Sequence, residues 1–173
     1  MTKLLFTPLN FGVVEDGLYR SGFPNELNFA FLSTLQLKTV LCLETSSALL
    51  DPFLQFTEEQ HIQYINFSNN TQSPDGAAHE NLVKETLQNY IFNKKCYPLL
   101  IVDRYGKYLT GVLVGCLRKY QRWAFASIFE EYRRFAGSRL LEQHEQFIEL
   151  FDTDLVAPVE ESAPSFLIYS NMQ

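Results

Sequence analysis

A chain of 173 residues with a formal net charge of −6 is long enough for one domain with a real core and short for two. The negative balance excludes general binding to nucleic acid, because backbone phosphates reward clustered positive charge. Met1–Asn10 has no apolar leader and no eighteen apolar residues run together, so neither a signal peptide nor a membrane span is expected and the chain reads as cytoplasmic.

In chain order, "GLYRSGFPNE" opens as a short strand, Leu18 to Arg20, and turns at Ser21-Gly22. Pro24 suits the approach to a helix, and Asn25 is placed to cap one running to about Leu35. "KTVLCLE" (Lys38 to Glu44) has the β-branched, apolar character of a buried strand. Asp51 to Gln60 reads as helix, and "IQYINF" then alternates like a strand. A polar loop, Ser68 to Ala78, precedes a helix over His79 to Asn93. "LLIVD" after Pro98 is the clearest strand, being short and apolar up to its final acid. Helices are expected over Thr110–Gln121, Ala124–Ala136 and Arg139–Phe151, with Gly137 ending the second. Strands alternating with helices predict an α/β fold, a mostly parallel sheet covered on both faces. Residues 1–154 are read as one domain. Residues 155–173 form an acidic, Pro-containing tail in which "SFLIYS" (Ser165 to Ser170) could dock as an extended segment.

Charge and chemistry-bearing residues are unevenly spread. Six of the fourteen basic residues lie between Arg118 and Arg139, which reads as a solvated helix face or, alternatively, a surface for an acidic partner. Cys42, Cys96 and Cys116 show no metal-ligand spacing and are expected as free thiols, two of them buried. His61, His79 and His144 are read as surface or helix-end residues, and Asp75 as a solvated turn residue. Trp123, Phe125, Phe129, Tyr132 and Phe135 are expected to pack in the core. No metal and no cofactor are called for.

The segment "PLLIVDRYGKYLTG" combines a buried strand, a tight loop and a helix N-terminus, a junction where free N–H groups and the helix dipole favour an anion. A Walker loop is rejected, because the first glycine would fall at Ile101 and Tyr108 replaces the Ser/Thr metal ligand. An aspartyl-phosphate site of the haloacid-dehalogenase kind lacks its second acid, since Tyr105 stands two residues after Asp103. The cysteine phosphatase loop, C-x5-R, has the right separation from Asp103 to Leu109. Both reactive side chains are replaced.

With "TPLNFGVVEDGLYRSGFPNELNFAFLSTLQLKTVLCL" and "GVLVGCLRKYQRWAFASIFEEYRRFAG" as its signatures, the chain resembles the plant and fungal atypical dual-specificity phosphatases over about residues 7 to 152. That group contains inositol pyrophosphate phosphatases and the fungal oxidant-induced cell-cycle arrest proteins. The resemblance implies a dual-specificity-phosphatase fold, and it implies that active members carry His-Cys, a basic Gly-containing loop and Arg-Thr-Gly here. In this sequence Val102 and Asp103 stand for His-Cys, followed by Arg104 and Tyr105. Gly106 and Lys107 match, Tyr108 and Leu109 replace a histidine and the phosphate-gripping arginine, and Thr110 and Gly111 match again. A carboxylate meeting a phosphoryl group at about 4 Å and an effective dielectric near 20 is repelled by roughly 4 kcal/mol. Leu109 further removes charge-assisted contacts of about 1.5–3 kcal/mol each.

On these losses the expectation is a chain that is not an enzyme, a pseudophosphatase acting as a protein-interaction subunit. The resemblance implies related phosphatase-like paralogues as partners, in a hetero-oligomer. The alternatives are a residual binder of phosphorylated ligands such as inositol pyrophosphates, using Arg104, Lys107 and the loop amides, or a phosphatase with altered chemistry centred on Asp103. With the nucleophile replaced, the Asp103 carboxylate either accepts hydrogen bonds from loop N–H groups, as a resident anion in place of phosphate, or turns outward into water.

Overall fold

The computed structural model describes residues 4–44, 50–67, 76–137, 142–158 and 160–168. A five-stranded sheet runs in the order β1-β2-β5-β3-β4, with strands β1 (Gly12–Glu15), β2 (Leu18–Gly22), β3 (Thr39–Cys42), β4 (Gln63–Asn66) and β5 (Leu99–Asp103). The pairs β2–β5, β5–β3 and β3–β4 are parallel. β1 joins antiparallel to β2 at one edge, so the mostly parallel sheet expected from the βα alternation is mixed by one hairpin. That edge strand was not expected, and its physical signature is slight: four residues, with Val13 solvent-exposed.

Period-two alternation sorts each central strand between two cores. Leu99, Ile101 and Leu41 join Val112, Leu113 and Cys116 in one cluster. Leu100, Val102, Val40 and Cys42 join Leu32, Phe53 and Phe56 in the other. Helices α1 (Glu26–Thr34) and α2 (Leu50–Glu59) cover the second face. Helices α3 (Gly76–Thr86), α4 (Tyr108–Tyr120), α5 (Phe125–Ala136) and α6 (Glu142–Leu150) cover the first. Full burial of a side chain such as Phe53, 0% exposed, stabilises by about 1.5–3 kcal/mol.

Asn25 caps α1, its side chain accepting from Leu27 N while Asn28 Oδ1 accepts from Asn25 N to complete a capping box. α3 begins at Gly76, so the last three residues of the expected polar loop already form its first turn, and it continues as a π-helical turn over Leu87–Ile91. Residues 68–75, Asp75 among them, and 138–141 lie outside the described residues. The C-terminal segment differs from the extended form expected, because Ser165–Ile168 is a helical turn, α7, whose Leu167 is buried in the α3–α6 core.

The basic stretch is divided: Arg122, Arg133 and Arg134 are exposed, as on a solvated face, whereas Arg118 is not. Arg118 is buried and bonds Glu15, Glu131, Gln121 and the Val14 carbonyl. Lys119 donates to the Glu149 and Phe151 carbonyls, and Arg133 pairs with Glu145. Trp123 and Phe125 are exposed rather than packed in the core, while Tyr132 is buried. Cys42 and Cys116 are buried and Cys96 is half-buried. Among the described residues no helix is long and apolar enough to cross a membrane.

Candidate active site

β5 ends at the C-terminal edge of the sheet, and residues 104–107 link it to the first turn of α4. The alternation that sends Leu99 and Ile101 towards α4 sends Asp103 the same way. Its carboxylate is 3% exposed and meets the loop amides. Oδ1 accepts from Tyr105 N at 3.0 Å, Lys107 N at 3.2 Å and, closely, Gly106 N. Oδ2 accepts from Thr110 N at 2.9 Å. Four N–H groups thus converge on one anion where the α4 dipole is positive, the arrangement that makes a helix N-terminus an oxyanion receptor.

The loop keeps this shape because it rests on β2. Gly106 has φ +69, and a Cβ there would lie 2.6 Å from the Ser21 carbonyl carbon; only glycine meets both demands. Gly22 is close-packed in return, since its Cβ would come within 3.0 Å of the Tyr105 carbonyl carbon. Asn10 Nδ2 donates to Tyr105 O at 2.9 Å, and Arg20 Nη2 donates to Gly106 O at 3.1 Å. "LYRSGFP" and "VDRYGKYLTG", far apart in sequence, are therefore two halves of one object.

Arg20 lies beneath the loop, 1% exposed, with its guanidinium carbon 3.8 Å from the Phe135 ring centroid. Among the described residues its Nε and Nη1 have no hydrogen-bond partner. Burial pushes its pKa down to about 10, against the favourable charges of Glu131 and Asp103. Sequence reasoning missed this cation, because a buried strand arginine looks like any other strand residue until the loop above it is known.

The other loop positions fall into two groups. Arg104 and Tyr105 are exposed, and the Arg104 guanidinium carbon lies 5.3 Å from the Tyr105 ring centroid. Lys107, Tyr108 and Leu109 are half-buried, and Leu109 packs against the α3–α6 core. Val102, Thr110 and Gly111 are buried, Gly111 so tightly that a Cβ would lie 2.8 Å from the Tyr132 ring. Glu44, just past β3, has its carboxyl pKa raised by burial and then by the Asp103 charge, with Arg104 opposing.

Two residues read as unremarkable belong beside the loop. His144 lies at a helix end, in the first turn of α6, but is half-buried there, and its Nδ1 is 2.7 Å from the Tyr132 hydroxyl. Its ring meets Tyr108 edge-on at 5.9 Å between centroids. Burial lowers its pKa, as does neighbouring His79, while Asp103 acts the other way. Burial also pushes the Tyr132 phenol up to about 12. Among the described residues no three His, Cys, Asp or Glu side chains are grouped to hold a metal ion.

The comparisons agree with this architecture. A family model described as "Tyrosine phosphatase family" matches residues 5–170. "Probable tyrosine-protein phosphatase DG1060" of Dictyostelium discoideum is 51% identical, covering 94% of this chain and 96% of its own length. "Inositol diphosphatase DSP4" of Arabidopsis thaliana is 38% identical, covering 87% of this chain and 75% of its own. Among solved structures, the core catalytic domain of the PP-IP phosphatase SIW14 from S. cerevisiae superposes with a TM-score of 0.78 at 35% identity, covering 87% of this chain and 90% of that one.

These relatives correct two expectations, that the chain is not an enzyme and that it is a pseudophosphatase serving as an interaction subunit. Proteins matching it along most of its length are named as phosphatases, and the backbone receptor for an anion is intact around residue 103. Reasoning from two replaced side chains gave too little weight to donors supplied by the main chain. The chain belongs to the tyrosine phosphatase family, in its plant and fungal atypical dual-specificity branch.

Proposed function

We propose that this chain is a phosphatase of altered chemistry, acting on phosphorylated small molecules such as inositol diphosphates at the β5–α4 loop, with Asp103 at the attacking position. The observation that carries the reading is the Asp103 carboxylate seated on the N–H groups of Tyr105, Gly106, Lys107 and Thr110. A loop that receives one oxyanion in this way can receive a phosphoryl group at the same donors, and relatives named as inositol diphosphatase and PP-IP phosphatase support the ligand class.

The exchange would proceed with Asp103 turning out of the cradle as phosphoryl oxygens take its place, so that hydrogen bonds are replaced rather than lost. An Oδ then bonds to phosphorus while the bond from phosphorus to the bridging oxygen breaks. The leaving phosphate keeps that electron pair and takes a proton from water. The hydroxide left from that water cleaves the acyl phosphate, releasing inorganic phosphate and restoring the carboxylate. Carboxylate–phosphate repulsion of roughly 4 kcal/mol at 4 Å and the absence of a guanidinium at Leu109 make this slower than thiolate chemistry.

Leu109, turned against the core, favours a second reading in which the ligand is held without turnover. A 31P NMR assay with a diphosphoinositol phosphate separates the two. Turnover that disappears in Asp103→Ala supports the first reading, and turnover indifferent to that change removes Asp103 from the chemistry. Absence of turnover, with thermal stabilisation by the ligand that is lost in Lys107→Ala, leaves the binding reading.

A further inference from the structure

We infer that His144 is a ligand-positioning residue of this site: the Tyr132 hydroxyl fixes one ring nitrogen, so that Nε2–H is presented beside Tyr108 to a phosphoryl oxygen that is not transferred. The inference rests on the reading of the β5–α4 loop as a phosphoryl site.

The ground is a side-chain cluster beside the N-terminal end of α4. Tyr132 from α5, His144 from α6, His79 from α3 and Tyr108 from α4 lie together there. Tyr132 is 1% exposed, and a phenol proton so placed needs an acceptor. Among the described residues its hydroxyl is bonded to His144 Nδ1 and to nothing else, at 2.7 Å. The hydroxyl therefore donates and Nδ1 accepts, which leaves the proton of a neutral imidazole on Nε2. With Nδ1 pinned to Tyr132, Nε2 lies across the ring from α5.

The ring's other neighbours put the imidazole at the ligand end of α4. Tyr108 is the first residue of α4, directly after Lys107, and its ring meets His144 edge-on. His144 and Tyr132 both feel the Asp103 charge. Tyr132 also presses on Gly111 one turn along α4, so the pair is anchored to the same helix that carries the loop amides. A neutral donor on this flank complements main-chain donors below, and it can hold a second phosphate without adding a cation that would pair with Asp103.

The test uses the full chain and a diphosphoinositol phosphate. Nitrogen-15 NMR of the labelled protein is expected to show His144 as the Nε2–H tautomer, with its Nε2 signal moving when ligand is added. His144→Phe is expected to weaken binding about tenfold, and His144→Gln, which can accept from Tyr132 and still donate, to restore it to within about twofold. Equal affinity of wild type and His144→Phe, failure of the Gln variant to rescue, or an Nδ1–H tautomer overturns the inference while the phosphoryl-site reading stands. Wild type that neither binds nor hydrolyses the ligand overturns both. Should His144→Phe fail to fold, the ligand-induced shift of the wild-type imidazole decides.

Discussion

Helix α4 has a buried charge at each end, Asp103 against its N-terminus and Arg118 in its last turn, and their partners differ in kind. Among the described residues the Asp103 carboxylate is hydrogen-bonded by main-chain N–H groups alone. Arg118 is held mainly by side chains from distant elements, Glu15 at 2.5 Å and Glu131 at 2.9 Å. Both signs complement the helix dipole. The main-chain donors are indifferent to which oxyanion they receive, so the N-terminal site can exchange its occupant. The C-terminal site is bonded to particular carboxylates and can only be kept or broken. Binding chemistry belongs at the first end and stability at the second.

The largest expected effect comes from breaking the second. Arg118→Met removes a guanidinium whose side chain is 4% exposed, leaving Glu15 and Glu131 at 22% and 12%. Removing one partner of a buried pair costs about 3–5 kcal/mol, and the partial exposure of Glu15 places this case at the low end, about 3 kcal/mol. Urea unfolding of Arg118→Met, Glu15→Gln and the double variant measures it. Additive losses would show that the two side chains are not coupled.

Asp103→Ala sharpens the comparison, because it empties the exchangeable end. Buried N–H groups of Gly106 and Thr110 lose their acceptor, and an unmet buried donor costs about 1–3 kcal/mol. A net loss of about 2 kcal/mol is expected, since water reaches the exposed side of the loop. Inorganic phosphate should raise the Tm of this variant more than that of wild type. An equal response in the two proteins would mean that ligand and carboxylate do not compete for the same donors.

Much of this region was legible from letters alone, and the parts that were not have physical reasons. β5, its terminal acid and the glycine of the loop are local signals, as is the Asn25 cap. The pairing partners of buried charges are not local. Arg118 finds Glu15 103 positions away, so its place in a basic-looking stretch gave no hint of burial. His144 and Tyr132 sit on different helices, and only the packing of both α5 and α6 on α4 reveals their bond. β1 was missed because four residues at a sheet edge carry almost no hydrophobic pattern.

A smaller effect tests how tightly α4 is seated. Gly111→Ala puts a methyl 2.8 Å from ring atoms of buried Tyr132, and overpacking of this kind costs about 1–3 kcal/mol. Because Tyr132 carries the bond to His144, the His144 imidazole resonance should move together with the Tm. A stability loss without movement of that resonance would detach Tyr132 from the loop's flank.

The smallest effect is a pH slope. Burial first, then His79, lowers the His144 pKa from 6.5, so the folded chain resists protonation where the unfolded chain accepts it. In the window below about 6.5 the unfolded state binds more protons, and stability falls as pH falls. Above that window both states are neutral at this residue and its contribution is complete. His144→Gln removes the titration while keeping a hydrogen-bonding partner for Tyr132, so the variant's stability should fall less than that of wild type between pH 7 and pH 5. The two proteins differ only at residue 144, so the difference between their slopes isolates that site. A wild-type slope matched by the variant would place the protonation elsewhere, and the Tyr132–His144 pair would then be indifferent to charge at the flank of the loop.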